Sequence, residues 1–206
     1  MMVRMLATPR GTARRARVGL ALLVAAALVW LTAGAGCSGD DPPDPDRPET
    51  ESVPLELTLG TGSSGLDTDV SDRFQTDVSD ALTGYVVSAF LGDYPRSDFV
   101  EALDWFTTGG AALAAGDLDL LTGARFAEAR SVVARKLDAR LAPFAPGQQP
   151  AGVSAGIDFV FDVVAADGGT TEVALTGRLV LMPTDDGWRI FAYHVARDDL
   201  PAEGSS

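Results

Sequence analysis

His194 is the only histidine of the 206-residue chain and Cys37 its only cysteine. A Ser-His-Asp or Cys-His relay sets a histidine beside its nucleophile, and a zinc centre gathers three or four ligands, so a multi-histidine metal site lacks its parts. For proton chemistry there remain one imidazole, one phenol and two carboxylates on alternating apolar stretches. Asp158 and Asp162 alternate with Ile157, Phe159, Phe161 and Val163, and Tyr193 and His194 lie in the run Trp188 to Val195. An acid within hydrogen-bond reach of a histidine or tyrosine is the least apparatus that general acid-base catalysis needs. Alternation puts Tyr193 and His194 on opposite faces of one strand, so at most one enters a pocket. Trp188 and Ile190 share the parity of His194, whereas Phe191 and Val195 share that of Tyr193, and neither parity is plainly the core one. Asp158, Asp162, Tyr193 and His194 are the catalytic candidates, and a satisfied or exposed strand histidine is the plainer reading of His194.

Other patterns carry less. Gly60-Thr61-Gly62-Ser63-Ser64-Gly65 matches the dinucleotide fingerprint in letters, but that turn needs a strand before it, a helix opening at its last glycine and a parallel strand after the helix. Followed by more helix and an antiparallel meander, it reads as a flexible linker. Asp67, Asp69 and Asp72 lack the glycine and distant glutamate of a calcium loop, and helix amino-terminal acids account for them. No nucleophile elbow or lysine-bearing phosphate loop is present, and no cofactor is expected. Tyr85, Phe90, Phe99, Trp105, Phe106, Phe159 and Phe161 read first as core, with a few available to line an apolar cavity.

The first 36 residues hold five arginines and no acid, so without them the net charge moves from −13 to −18. So acidic a chain repels phosphate backbones, and nucleic acid is not an expected partner. Those residues have the layout of an export signal: a basic segment ending at Arg17, an apolar run from Val18 to Leu31, then small residues up to Cys37. The run is about 14 to 16 residues, short of the roughly 20 that a bilayer span requires. Cys37 has no partner for a disulfide within the chain.

Gly34-Ala35-Gly36-Cys37 resembles the bacterial lipobox, with Gly34 standing where an aliphatic residue is preferred. The resemblance implies that Cys37 is diacylated and becomes the mature amino terminus, which ties the protein to the extracytoplasmic face of the cell membrane. The abundance of Ala, Gly, Asp and Arg, with Lys136 the only lysine, points to a GC-rich genome such as an actinobacterium's. Residues 37–66 are expected to form an acidic, Pro- and Gly-rich tether, and residues 199–206 a disordered tail. Within the tether, Val53 to Leu59 alternates and is either a short strand or a linker.

Residues 67–198 form the expected domain. Val70, Phe74, Val78, Ala81, Leu82, Tyr85 and Ala89 recur at spacings of three and four, which predicts a long amphipathic helix capped by Asp67 or Thr68 and ended by Gly92. A shorter helix capped by Ser97 and a third piece from Thr108 to Ala115 follow. The period then changes to two, around Leu137 to Leu141, Ile157 to Val163, Thr171 to Met182 and Trp188 to Val195, with turns at Ala166–Gly169 and Thr184–Gly187. Helices followed by a four-stranded antiparallel meander predict an α+β fold. This order, closing on Asp186-Gly187-Trp188-Arg189-Ile190, resembles the nuclear-transport-factor-2-like superfamily, including its SnoaL-like members. The resemblance implies a cone-like α+β barrel and admits isomerases, dehydratases and non-enzymatic modules alike. The expected function is a membrane-anchored, non-enzymatic binding or accessory module for an envelope protein or a hydrophobic small molecule. The alternative is a small isomerase or dehydratase that uses a pocket aspartate with His194 or Tyr193.

Overall fold

The computed structural model describes residues 53–201, without the side chains of Leu200 and Pro201; the expected export signal, Cys37, the first part of the expected tether and the last five residues lie outside it. The three-and-four period becomes α1, Thr68–Ala89, whose buried stripe is Phe74, Val78, Ala81, Leu82, Tyr85, Val86 and Ala89. Asp67 occupies the cap position but makes no side-chain cap bond; its backbone amide donates instead to Gln148 Oε1 at 3.2 Å. Past the helix Gly92 turns the chain at φ +127°, a conformation that other residues enter only with strain. The segment expected as a second helix is a tight 3-10 turn, Val100–Trp105, with Asp98 rather than Ser97 accepting from the amide of Val100 at 2.9 Å. Then come α2 (Thr108–Ala114), α3 (Leu118–Leu121) and a 3-10 turn over Gly123–Phe126.

Five strands form one sheet in chain order: β1 (Glu56–Leu59), β2 (Ser131–Phe144), β3 (Gly152–Val164), β4 (Thr170–Thr184) and β5 (Gly187–Pro201). The four expected strands pair antiparallel, but β1 adds a fifth, parallel to β2. The sheet is therefore mixed rather than a pure meander. Leu57 and Leu59 pack against the core, which recruits four residues of the expected tether into the sheet; at the other end β5 runs beyond 198 to Pro201.

The inner face of the sheet lies against α1. Strand β3 alternates without a break: Val153, Ala155, Ile157, Phe159, Phe161 and Val163 are buried, and the residues between them are not. Phe161 stacks on Phe90 at 4.7 Å between ring centroids, and Trp188 meets Phe74 edge to face at 5.4 Å. Tyr85 is fully buried and donates its hydroxyl to the Leu121 carbonyl at 2.6 Å, which ties α1 to α3 and satisfies the phenol. Burial raises the pKa of that phenol. Strand β5 breaks its alternation: pairing with β4 slips between Val180 and Leu181, so that Ala192 faces Val180 and Ile190 faces Leu181 with Phe191 extra. This bulge reverses the parity, so Trp188 and Ile190 point inward before it and Tyr193 and Val195 after it.

Candidate functional site

Asp158 and Asp162 sit on the outer face of β3, turned away from the core. Arg135 Nε lies 2.8 Å from Asp162 Oδ2, and Lys136 Nζ lies 2.5 Å from Asp158 Oδ2 and 3.3 Å from Asp138 Oδ2. These hydrogen bonds, first to Asp158 and then to Asp138, raise the pKa of Lys136. A bulge between Ala134 and Lys136 brings Arg135 and Lys136 out side by side. His194 is exposed on the same outer face, opposite Arg178, which in turn faces Gly156. Asp158 lies two strands and two residues away from it, and the two form no hydrogen bond. Neither aspartate therefore pairs with His194, which shares their face but stands two strands away, or with Tyr193, which faces in.

Tyr193 has a partner that its sequence neighbourhood did not suggest. Its hydroxyl donates to Asp117 Oδ2 at 2.7 Å, and its ring meets Phe106 edge to face at 6.2 Å. Burial, and then the hydrogen bond to the carboxylate, pushes the phenol up to about 12. Four residues further along the same face, Arg197 leaves only 3% of its side chain exposed. Its guanidinium donates to the carbonyls of Asp119 and Thr122 and lies over the Phe126 ring at 5.3 Å. Asp199 closes the row, 3.1 Å from Arg197 Nε and 3.1 Å from an Arg125 nitrogen. The contact with Arg197 has charge but not hydrogen-bond alignment, so Asp199 Oδ1 is shielded without a donor among the described residues. This row of Tyr193, Arg197 and Asp199 fastens β5 to α3 and the turn after it. The missing signal was the bulge, since without it 193, 197 and 199 cannot be assigned to the inner face.

A second place lies outside the core, between α1, the Val100–Trp105 turn and β5. An open cleft of about 270 Å³ is lined by Ser88, Glu101, Asp104, Trp105 and Arg189. Trp105 is wedged against α1 where Gly84 has no side chain: a Cβ there would fall 1.9 Å from Trp105 Cζ2. The Arg189 guanidinium lies over the indole at 5.5 Å from the ring centroid and donates to the Trp188 carbonyl at 3.0 Å. Ser88 donates its hydroxyl to the Gly84 carbonyl at 2.8 Å.

The glycine-rich segment does lie between a strand and a helix, and the strand before it is parallel to β2, contrary to the expected linker. Its first two glycines serve packing: a Cβ at Gly60 would meet the Leu141 carbonyl oxygen at 3.1 Å, and one at Gly62, at φ +97°, the Pro143 carbonyl oxygen at 2.6 Å. The helix beyond begins with Asp67 and Asp69, which repel the phosphates that such a turn would have to cradle. Among the described residues no three potential metal ligands cluster, and no helix is long and apolar enough to cross a membrane.

The chain matches no protein-family model and no curated protein. Among solved structures, a chain described as an aromatic ring hydroxylase from Novosphingobium aromaticivorans aligns at 16% identity over 62% of this chain and 94% of its own, with a TM-score of 0.43. A chain described as a calcium/calmodulin dependent protein kinase II association domain from Xanthomonas campestris aligns at 13% identity over 73% of this chain and 99% of its own, with a TM-score of 0.34. What the geometry itself establishes is an α+β fold of helices packed on a five-stranded mixed sheet.

Proposed function

We propose that this protein is a bacterial lipoprotein, acylated on Cys37 and held at the extracytoplasmic face of the membrane. Its domain, of the nuclear-transport-factor-2-like cone type, serves as a non-enzymatic accessory module for an envelope protein. One observation carries the choice of a protein partner over a small hydrophobic ligand. Tyr85, Phe90, Phe159 and Phe161 fill the inner face, each no more than 2% exposed, so the sheet and α1 close on each other. The polar groups outside that core are left to meet a partner at the surface. Mass spectrometry of the detergent-extracted protein tests the anchor: diacylglyceryl on an amino-terminal Cys37, absent from Cys37→Ser together with membrane retention, is the expected result. Saturable binding of an apolar dye such as anilinonaphthalene sulfonate would count against a closed interior.

A second reading rests on the Tyr193–Asp117 hydrogen bond. An acid 2.7 Å from a phenol can pass a proton, and Asp117 supplies the carboxylate that Asp158 and Asp162 do not. On this reading the protein catalyses deuterium exchange from solvent into a cyclic ketone, and Tyr193→Phe abolishes it. Exchange at the uncatalysed rate by the native chain rejects it.

A further inference from the structure

The cleft under Arg189 carries chemistry that neither reading above uses. Glu101 and Asp104 stand three residues apart on a 3-10 turn, where side chains at that spacing eclipse, so both carboxylates come out on one side. Both are exposed, and among the described residues neither belongs to an ion pair. Two anions on one side of a turn repel each other, and a cation between them relieves that repulsion. Beside them stands an indole that cannot drift, because Gly84 lets it sit in the surface of α1. A fixed aromatic face attracts a planar cation. Arg189 already demonstrates this, resting on the ring while no carboxylate oxygen of the described residues comes within 4.0 Å of it.

We propose that this cleft recognises an alkylguanidinium group, the side chain of an arginine on a partner polypeptide, with Arg189 as an in-chain stand-in on the ring. An incoming arginine takes the Trp105 face and reaches the Glu101 and Asp104 carboxylates, which Arg189 leaves unneutralised. The volume of about 270 Å³ gives such a group room beside Arg189. The net charge of −13 draws cations toward the molecule from a distance, although it favours no single spot. Arginine suits the site better than lysine, since the planar fork can stack on the indole and still donate to two carboxylates. The proposal deepens the accessory-module reading by naming the group that the partner offers. It does not involve Cys37, so the mass spectrum can fail while this site stands, and the reverse.

The test is calorimetric titration of the full-length protein with acetyl-Gly-Arg-Gly-amide at low ionic strength, with acetyl-Gly-Gln-Gly-amide as its uncharged counterpart. Saturable one-to-one binding of the arginine peptide is expected. It should weaken about tenfold in Glu101→Gln/Asp104→Asn, both exposed positions whose amides preserve shape. Asp167→Asn/Glu172→Gln removes the same charge elsewhere on the surface and should leave the affinity unchanged. Arg189→Ala, which vacates the indole, should tighten binding. Equal binding of the glutamine peptide, or equal weakening in both double variants, overturns the site. Agmatine binding as tightly as the peptide overturns the assignment to a polypeptide, since a free guanidinium compound would then serve as well.

Discussion

Strand β3 carries Phe159 and Phe161 on the face turned to α1 and Asp158 and Asp162 on the other, and the two sets do different physical work. Each inner ring is closed in by neighbours, so removing one leaves a void that the surroundings refill only in part. Each outer carboxylate touches a single flexible cation in water, where attraction and lost side-chain freedom nearly cancel. Stability therefore lives on one side of β3, and the strand's two carboxylate candidates lie on the other. The acids that look catalytic by type and alternation are, by position, solvated ion-pair partners.

The comparison breaks most severely at Gly177, where the strand itself depends on a missing side chain. Its φ is +133°, and a Cβ would fall 2.3 Å from the His194 carbonyl oxygen on β5. Gly177→Val should lower stability by more than about 4 kcal/mol, through backbone strain and overlap together, read as loss of the cooperative thermal transition. Phe161→Ala comes next, at about 3 to 5 kcal/mol in urea denaturation, because it also removes the stack on Phe90. The chain's three tyrosines sharpen the contrast through pH: burial raises the phenols of Tyr85 and Tyr94, and Tyr193 rises to about 12. A raised folded value means that the native state holds its proton longer than the unfolded chain. This contribution to stability is thus complete below the unfolded value of 10 and is lost as pH climbs from there. Spectrophotometric titration should show less phenolate at pH 10 in the folded protein than in the unfolded chain, and denaturation midpoints should fall between about pH 10 and 12. The smallest effect belongs to the outer face: Asp162→Asn should change stability by less than about 1 kcal/mol, screened further by salt.

Much of this arrangement was legible in the residues. The spacing of Phe74, Val78, Leu82 and Tyr85 marked the buried stripe of α1, and the alternation from Ile157 to Val163 marked the inner face of β3, because one period governs each element throughout. Strand β5 resisted the same reading. Trp188 and Ile190 demanded one parity and Tyr193 and Val195 the other, and that conflict was itself the trace of a one-residue bulge at Phe191. Asp117 read as a turn acid because its partner lies 76 residues further along the chain, beyond any local pattern. The parallel pairing of β1 with β2 is non-local in the same way, with α1 and the shorter helical segments between the two strands. Trp105 looked like core because nothing local reveals that Gly84 makes it a wall of a cleft.

Strand β1 also gives the fold a mechanical weak point. It is four residues long, lies at the edge of the sheet and pairs only with β2, whereas the other strands are joined by ladders of a dozen or more residue pairs. Tension delivered through the residues that precede it would load this short ladder before any longer one. Once it parted, the slack from residue 56 to the start of α1 would lengthen the reach of the chain while the Phe90–Phe161 core stayed closed. A pulling experiment should then record a small, early extension well below the force that opens the rest.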